Sequence, residues 1–301
     1  MTKYINDIRE LIGKTPLIKL NNLGIDRSIN LFAKLELFNP GGSVKDRVGI
    51  AMIHDAEQKG LLHKGATIVE ATAGNTGIGI ALAALNSGYK VIFTVPEKFS
   101  VEKVVLMEAL GAKVIRTPAQ LGMEGATQLA LELLTSIPHA ISLQQFENMA
   151  NPDVHYTTTA PEIFQALDGK IDYFIAGAGS GGTFSGVAKF LKEQNSSIKT
   201  ILVDPIGSIM GGGDCGSYSI EGIGNGFIPK AMDMNLVDSV IKVSDAEALH
   251  AVRVLGASEG IIAGSSSGAA LAGVLKLLPQ INTASNVVTL FPDRGERYFS
   301  K

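Results

Sequence analysis

Thr67-Ile68-Val69-Glu70-Ala71-Thr72-Ala73-Gly74-Asn75-Thr76-Gly77 carries the pattern that decides the fold. Its first residues form a short apolar, β-branched run that reads as a strand. Small residues and Gly74 follow as a tight turn, and the apolar stretch beyond it reads as a helix. A strand, a glycine turn and a helix in that order are one half of a βαβ unit. The same order recurs around Gly179 and Gly264. In sheets of this kind ligands sit beyond the carboxyl ends of the strands, where such turns lie.

The alternation continues outward along the chain. Strands are expected at 31–36, 67–70, 91–95, 113–115, 173–176, 200–203 and 287–291. Helices are expected at 44–58, 77–86, 101–110, 125–134, 160–167, 183–193, 245–255 and 267–278. This spacing predicts an α/β protein with a parallel sheet covered by helices on both faces. A chain of 301 residues has room for two lobes. The small lobe is expected at 41–148 and the large one at 1–40 and 149–301, with a boundary near Asn148-Met149-Ala150-Asn151-Pro152. The glycine-rich segment 207–226 reads as a long ordered loop over the site.

Composition narrows the function classes. Charged residues are 18% and the net charge is -3, with no basic tract, so nucleic acid is not an expected partner. No apolar run is long enough for a membrane span and the first residues are polar, so a cytoplasmic location is expected. The single cysteine, Cys215, excludes an intramolecular disulfide. His54, His63, His139, His155 and His250 show no ligand spacing, and no metal is expected.

Three stretches carry chemistry. The first is Asn39-Pro40-Gly41-Gly42-Ser43-Val44-Lys45-Asp46-Arg47, a glycine turn that delivers Lys45 to the start of a helix. A lysine so held can form a Schiff base with an aldehyde once its surroundings lower its pKa. The plainer reading of the same residues is a helix start capped by Ser43, with Asp46 as its capping partner. The second is the turn Thr72–Gly77, where backbone N–H groups and the hydroxyls of Thr72 and Thr76 suit a carboxylate, and Asn75 can donate to a phenolate. Its plainer reading is a turn capped by Thr76. The third, Gly179-Ser180-Gly181-Gly182-Thr183, is a glycine nest with two hydroxyls at a helix start, which suits a phosphate. It matches neither the P-loop nor the dinucleotide fingerprint, which points to a small phosphorylated cofactor.

In this order the three features resemble the β-substituting, fold-type II pyridoxal-phosphate enzymes, a tryptophan synthase β-like fold with two lobes, each with a parallel or mostly parallel sheet. The resemblance runs from Ile12-Gly13-Lys14-Thr15-Pro16-Leu17 to Gly295-Glu296-Arg297-Tyr298 and is nearest to cysteine synthases and bacterial cystathionine β-synthases. It implies pyridoxal 5′-phosphate bound as a Schiff base to Lys45, which then serves as general base and acid. It implies that Asn75 bonds the cofactor 3′-oxygen and that Gly179, Ser180, Gly181, Gly182 and Thr183 hold its phosphate. Thr72, Ala73, Gly74, Asn75, Thr76 and Gln145 would grip the substrate carboxylate, while Gly222 and Gly264 would line the site. Residues 91–134 would form the mobile part that closes over substrate. A homodimer is implied, and some relatives bind serine acetyltransferase. With no haem-binding stretch before the core and no regulatory domain after Lys301, activation by S-adenosylmethionine is not expected.

The nucleophile is where the motifs divide. Ala73, in place of the serine of typical cysteine synthases, and Val95-Pro96-Glu97-Lys98-Phe99-Ser100 resemble the cystathionine branch. Gln144-Gln145-Phe146 with His155, and Gly226 where the cystathionine branch often has an acid, resemble cysteine synthases. The expectation is cysteine formation from O-acetylserine and sulfide. The alternatives are cystathionine formation with homocysteine, and a cysteine-consuming variant that releases hydrogen sulfide or makes lanthionine. The leaving group is left open by the motifs. Arg294 stands where relatives place a small residue facing the pyridine nitrogen. A guanidinium there would disfavour a protonated ring; otherwise it points to solvent or pairs with Asp293.

Overall fold

A computed structural model describes residues 4–72 and 74–298. It divides into two compact units. The chain enters the larger with β1 (Leu17–Lys19) and β2 (Asn30–Leu35). It then builds the smaller from α1 (Lys45–Gln58), β3 (Thr67–Ala71), α2 (Asn75–Ala83), β4 (Lys90–Pro96), α3 (Val101–Ala109), β5 (Lys113–Thr117), α4 (Gly122–Ser136) and β6 (Ala140–Ile141). It returns through α5 (Ala150–Val154) to α6 (Ala160–Ala166), β7 (Tyr173–Gly177), α7 (Gly182–Gln194) and β8 (Lys199–Pro205). β9 (Ser239–Val243), α8 (Asp245–Val254), α9 (Ser265–Leu277) and β10 (Asn286–Phe291) complete it.

In the larger unit the strands run in the order β1-β2-β10-β7-β8-β9, parallel except for the antiparallel β1–β2 pair at one edge. Its inner strands β2, β10, β7 and β8 are largely buried because both sheet faces are covered. Ile175, Ile201, Val203 and Val287 enter a core shared with Ala248 of α8 and Leu271 of α9. Their neighbours Phe174, Ala176, Leu202 and Val288 enter the opposite core, with Ile163 of α6 and Val187 and Leu191 of α7. The period of two along each strand therefore fills both layers.

The smaller unit holds a four-stranded parallel sheet, β5-β4-β3-β6. Two short terminal segments belong with it. The sequence reading placed 1–40 and 149–301 in the large lobe, but the described parts of 1–12 and 297–301 cluster with the smaller unit. The reason is polar: Arg9 donates to the carbonyls of Ala83 and Leu85 at 3.1 and 2.9 Å. At the other end, the Ser100 hydroxyl donates to the Arg297 carbonyl, and Lys103 Nζ sits 4.3 Å from the Tyr298 ring centre. Three strands escaped the sequence reading. β1 and β6 are very short, and β9 lies at a sheet edge with an exposed or half-buried run before Val243.

Candidate active site

In the smaller unit the loop before α1 is built from the side chain of Asp46 backwards. The Asp46 carboxylate is buried and accepts the Gly41 N–H at 2.5 Å, and a Cβ on Gly41 would lie 2.6 Å from that carboxylate. Gly42 takes φ 79° and donates to the Asn39 carbonyl at 2.7 Å, closing the turn. Lys45 then opens α1, with its N–H 3.3 Å from the Ser43 hydroxyl. The helix start is not capped by Ser43 in the expected sense: Val44 occupies the cap position, and Asp46 reaches back to Gly41.

α1 packs on α2 backbone to backbone. A Cβ on Gly49 would stand 2.3 Å from the Gly79 carbonyl oxygen, and one on Gly79 would stand 2.2 Å from that of Lys45. The Gly49–Gly79 pair thus sets Lys45 directly against the helix that begins at Asn75. Gly74 is the cap residue of α2, without a side-chain cap. The Thr76 hydroxyl, expected as a cap, instead donates to Gln145 Oε1 at 2.7 Å. Thr72 is buried, with its hydroxyl 3.5 Å from the Gly74 N–H. The Arg297 guanidinium donates to Asn75 Oδ1 and to the Gly41 carbonyl. One cation thereby ties the lysine loop to the start of α2. Ala73 lies outside the described residues.

In the larger unit a second constellation surrounds the start of α7. Gly181 caps that helix in a left-handed conformation, φ 87°, which glycine adopts without strain. A Cβ on Gly179 would meet the Gly222 carbonyl at 2.3 Å, and one on Gly182 would meet Asn151 Oδ1 at 2.1 Å. The loop is held from outside: Asn151 donates to the Ser180 hydroxyl at 2.9 Å, and Asn225 donates to the Gly179 carbonyl at 2.5 Å. Thr183 Oγ1 lies 3.2 Å from Nε2 of the buried His155, whose Nδ1 is 2.9 Å from Thr159 Oγ1. A helix start with its first N–H groups unbonded within the helix, no Cβ on three of its loop residues and two hydroxyls is an anion cradle.

Gly222 and Gly264 join this constellation. The Glu221 N–H donates to the Ser265 hydroxyl at 3.0 Å, and Gly264 is the cap residue of α9. Gly264 also donates to the Asp293 carbonyl at 3.1 Å, and Ala263 bridges Arg294. The Arg294 Nε donates to the Leu37 carbonyl at 2.9 Å. This bond anchors the side chain on backbone; the sequence reading had weighed the pyridine nitrogen, solvent and Asp293 as its targets.

Among the described residues no group of three or more His, Cys, Asp or Glu could hold a metal ion, and no helix is long and apolar enough to cross a membrane. The residues missed from sequence, Arg297, Asn151 and Gly79, act through partners 29 to 256 positions away; only the glycines of α1 and α2, unusual inside helices, gave a local signal.

A family model described as pyridoxal-phosphate dependent enzyme matches residues 8–293. The O-acetylserine dependent cystathionine beta-synthase of Bacillus subtilis (strain 168) is 50% identical over 99% of this chain and 97% of its own length. The cysteine synthase of Staphylococcus aureus (strain Mu50) is 44% identical over 99% of this chain and 96% of its own. The crystal structure of the O-acetylserine dependent cystathionine beta-synthase from Helicobacter pylori superposes with a TM-score of 0.94 at 46% identity, covering 100% of this chain and 99% of that one.

Proposed function

The chain belongs to the fold-type II pyridoxal-phosphate-dependent enzymes, in the branch shared by cysteine synthases and O-acetylserine-dependent cystathionine β-synthases, and we propose that it condenses O-acetyl-L-serine with L-homocysteine to give cystathionine and acetate. It depends on pyridoxal 5′-phosphate, and its chemistry is β-replacement on an activated serine.

The residues present fit that cofactor. The glycines of Gly179–Thr183 let neighbouring chain pack where Cβ atoms would stand, and the loop so held sets the N–H groups at the start of α7 beside two hydroxyls, a donor set that suits a phosphate ester. Ser180 and Thr183 would add hydroxyl contacts, with Gly222 and Gly264 nearby. Lys45 would hold the cofactor through its ε-amino group, and Asn75 would donate to the ring oxygen. Bound pyridoxal phosphate supplies the electron sink that lets an α-proton leave and a β-substituent depart.

The chain's own groups do the rest in this reading. Lys45, released when substrate binds, removes the α-proton and later returns one to the same carbon. Thr72, Ala73, Gly74 and Thr76, with Gln145, hold the substrate carboxylate against the start of α2. Holding that group fixes the Cα–H bond relative to Lys45. Residues 91–134 would close over the bound substrate and keep water from the activated carbon.

The choice of homocysteine over sulfide, the nucleophile first expected, rests on one observation. The 50% identical relative, matched along nearly its whole length, is an O-acetylserine dependent cystathionine beta-synthase. Ala73 and the 95–100 segment point the same way. Gly226 points the other way, since it carries no acid, and packing does not force a glycine there: it is exposed, and a Cβ would touch only the Cys215 sulfur, at 3.8 Å. The test offers O-acetylserine with homocysteine and with sulfide in separate reactions. A higher kcat/KM for homocysteine is the expected result. A clearly higher value for sulfide would return the assignment to cysteine synthase.

A further inference from the structure

The β3–β6 ladder ends early. Thr67 pairs with Ala140 and Ile68 with Ile141, and there β6 stops. Continued in register, the ladder would set Glu70 opposite Leu143. The Glu70 side chain takes over where the backbone pairing ends. Its Oε1 accepts the Leu143 N–H at 2.5 Å, the Ser142 hydroxyl at 3.0 Å and the Gln144 N–H at 3.2 Å. Gln144 turns into the left-handed region, φ 54°, and its carbonyl accepts the N–H groups of Glu147 and Asn148 at 2.9 Å each. The Asn148 amide closes the loop on the Leu143 carbonyl at 3.1 Å. Gln145 follows directly, with its Oε1 on the Thr76 hydroxyl.

We propose that Glu70 is a positioning residue for substrate: its carboxylate oxygen fixes the 142–144 turn, which holds Gln145 against Thr76 at the start of α2. The proposal rests on the reading that Thr76 and Gln145 bind the substrate carboxylate. Glu70 itself touches no reacting atom. Three donors converge on one oxygen, so an acceptor at that point is what the loop requires, and a negative charge is secondary. The enclosing protein raises the Glu70 pKa above the ordinary carboxylate value, against the pull of the Leu143, Ser142 and Gln144 donors. A neutral acceptor is therefore tolerated there. Removing the acceptor strands the N–H of buried Leu143, leaves that of exposed Gln144 to solvent, and frees the loop.

The test compares Glu70→Ala, Glu70→Gln and Gln145→Ala in the holoenzyme. L-Alanine, which carries no β-leaving group, is titrated while the cofactor's visible band is followed. A spectral change with L-alanine in the wild type is required; its absence overturns the reading of the carboxylate site and the proposal with it. Given that change, Glu70→Ala is expected to weaken L-alanine binding about tenfold or more, the weight of one charge-assisted hydrogen bond or more. The KM for O-acetylserine rises in parallel. Cofactor affinity and the KM of the second substrate stay as in the wild type. Glu70→Gln restores binding to within roughly threefold, since its carbonyl can occupy the Oε1 position. In the double variant with Gln145→Ala, the two losses do not multiply.

Unchanged L-alanine binding in Glu70→Ala overturns the proposal while leaving the carboxylate reading intact if Gln145→Ala still weakens it. Full multiplication in the double variant overturns it as well. Where Glu70→Ala does not accumulate as folded protein, Glu70→Asp, which draws the carboxylate back by one methylene, takes its place. Weaker L-alanine binding in that variant supports the proposal, and wild-type binding overturns it.

Discussion

Gly79 faces the Lys45 carbonyl so closely that a Cβ would lie 2.2 Å from that oxygen and 3.1 Å from the Asp46 nitrogen. Both obstacles are backbone, so neither can swing aside. Gly79→Ala gains helix propensity worth about 1 kcal/mol. It also forces α1 from α2, an overpacking that costs about 1–3 kcal/mol or more. The second effect wins because the clash is far inside contact distance. The expected outcome is a lower Tm together with weakened pyridoxal phosphate binding, because the displaced residue is Lys45, the proposed anchor of the cofactor. Gly256→Ala serves as the comparison: a Cβ there meets nothing within 4 Å. A thermal melt of both variants, with cofactor titration, checks this. A Gly79→Ala protein as stable as Gly256→Ala contradicts the close approach.

Arg297 fixes the sense of the Asn75 amide. A guanidinium donates and cannot accept, so the oxygen of Asn75 must face it. The amide nitrogen is then the atom presented to any other partner, which is what donation to the cofactor's ring oxygen requires. Arg297→Lys keeps a donor and should keep the visible spectrum of the holoenzyme. Arg297→Met removes it, lets the amide flip, and should shift the balance of the visible bands and weaken cofactor binding about tenfold. Identical spectra in the two variants would show that Arg297 does not orient Asn75.

The division between what was legible in the sequence and what was not follows the range of the interactions. β3, its glycine turn and α2 were legible because a strand, a turn and a helix are written in consecutive residues. The glycine turns that open α1 at Lys45 and α7 at Gly182 were legible for the same reason. Arg297 was not, because its partners lie 222 and 256 positions away. Glu70 looked like the polar end of a strand, and its use emerges only once β6 is paired beside it. Thr76 was read as a cap because local rules favour that role, yet its hydroxyl serves Gln145, 69 positions on. Arg294 was weighed between a ring nitrogen, solvent and Asp293. The bond it makes, to the Leu37 carbonyl, depends on a chain reversal that no local pattern encodes.

Asp238 gives the fold a pH signature. Its carboxylate receives Lys192 Nζ at 2.7 Å, the Thr200 N–H at 2.8 Å and the Thr200 hydroxyl at 3.1 Å, tying α7 to the start of β8. Burial raises its pKa, but the bonds from Lys192 and Thr200 outweigh burial and hold it below the ordinary carboxylate value. A carboxyl depressed on folding stabilises the native state above its unfolded pKa, about 4. That contribution fades as pH falls through the lower folded value. Solvent reaches the Lys192–Asp238 pair and screens it, so Asp238→Asn should cost about 0.5 kcal/mol at pH 7, roughly 1–2 °C in Tm. The gap should close as the pH drops below about 4. Melting curves across that range check it, and a gap of constant size would mean the loss is steric.

The cradle at the start of α7 makes a prediction that separates phosphate from ring. Gly182 has no room for a Cβ, which would lie 2.1 Å from Asn151 Oδ1, and Asn151 is the residue that holds the Ser180 hydroxyl at 2.9 Å. Gly182→Ala must push Asn151 aside and release Ser180 from its position. If these residues hold the phosphate, the loss falls on ligands that carry one. Affinity for pyridoxal phosphate should drop about tenfold or more, the weight of one charge-assisted hydrogen bond or more. Affinity for pyridoxal, which lacks the phosphate, should change far less. The double variant Gly182→Ala with Asn151→Ala relieves the clash and should recover the Tm. It should not recover the preference for the phosphorylated form, because Ser180 is still unheld. Parallel titrations of both ligands decide the matter: equal losses for pyridoxal and its phosphate would mean that the loop supports the fold and does not hold the phosphate.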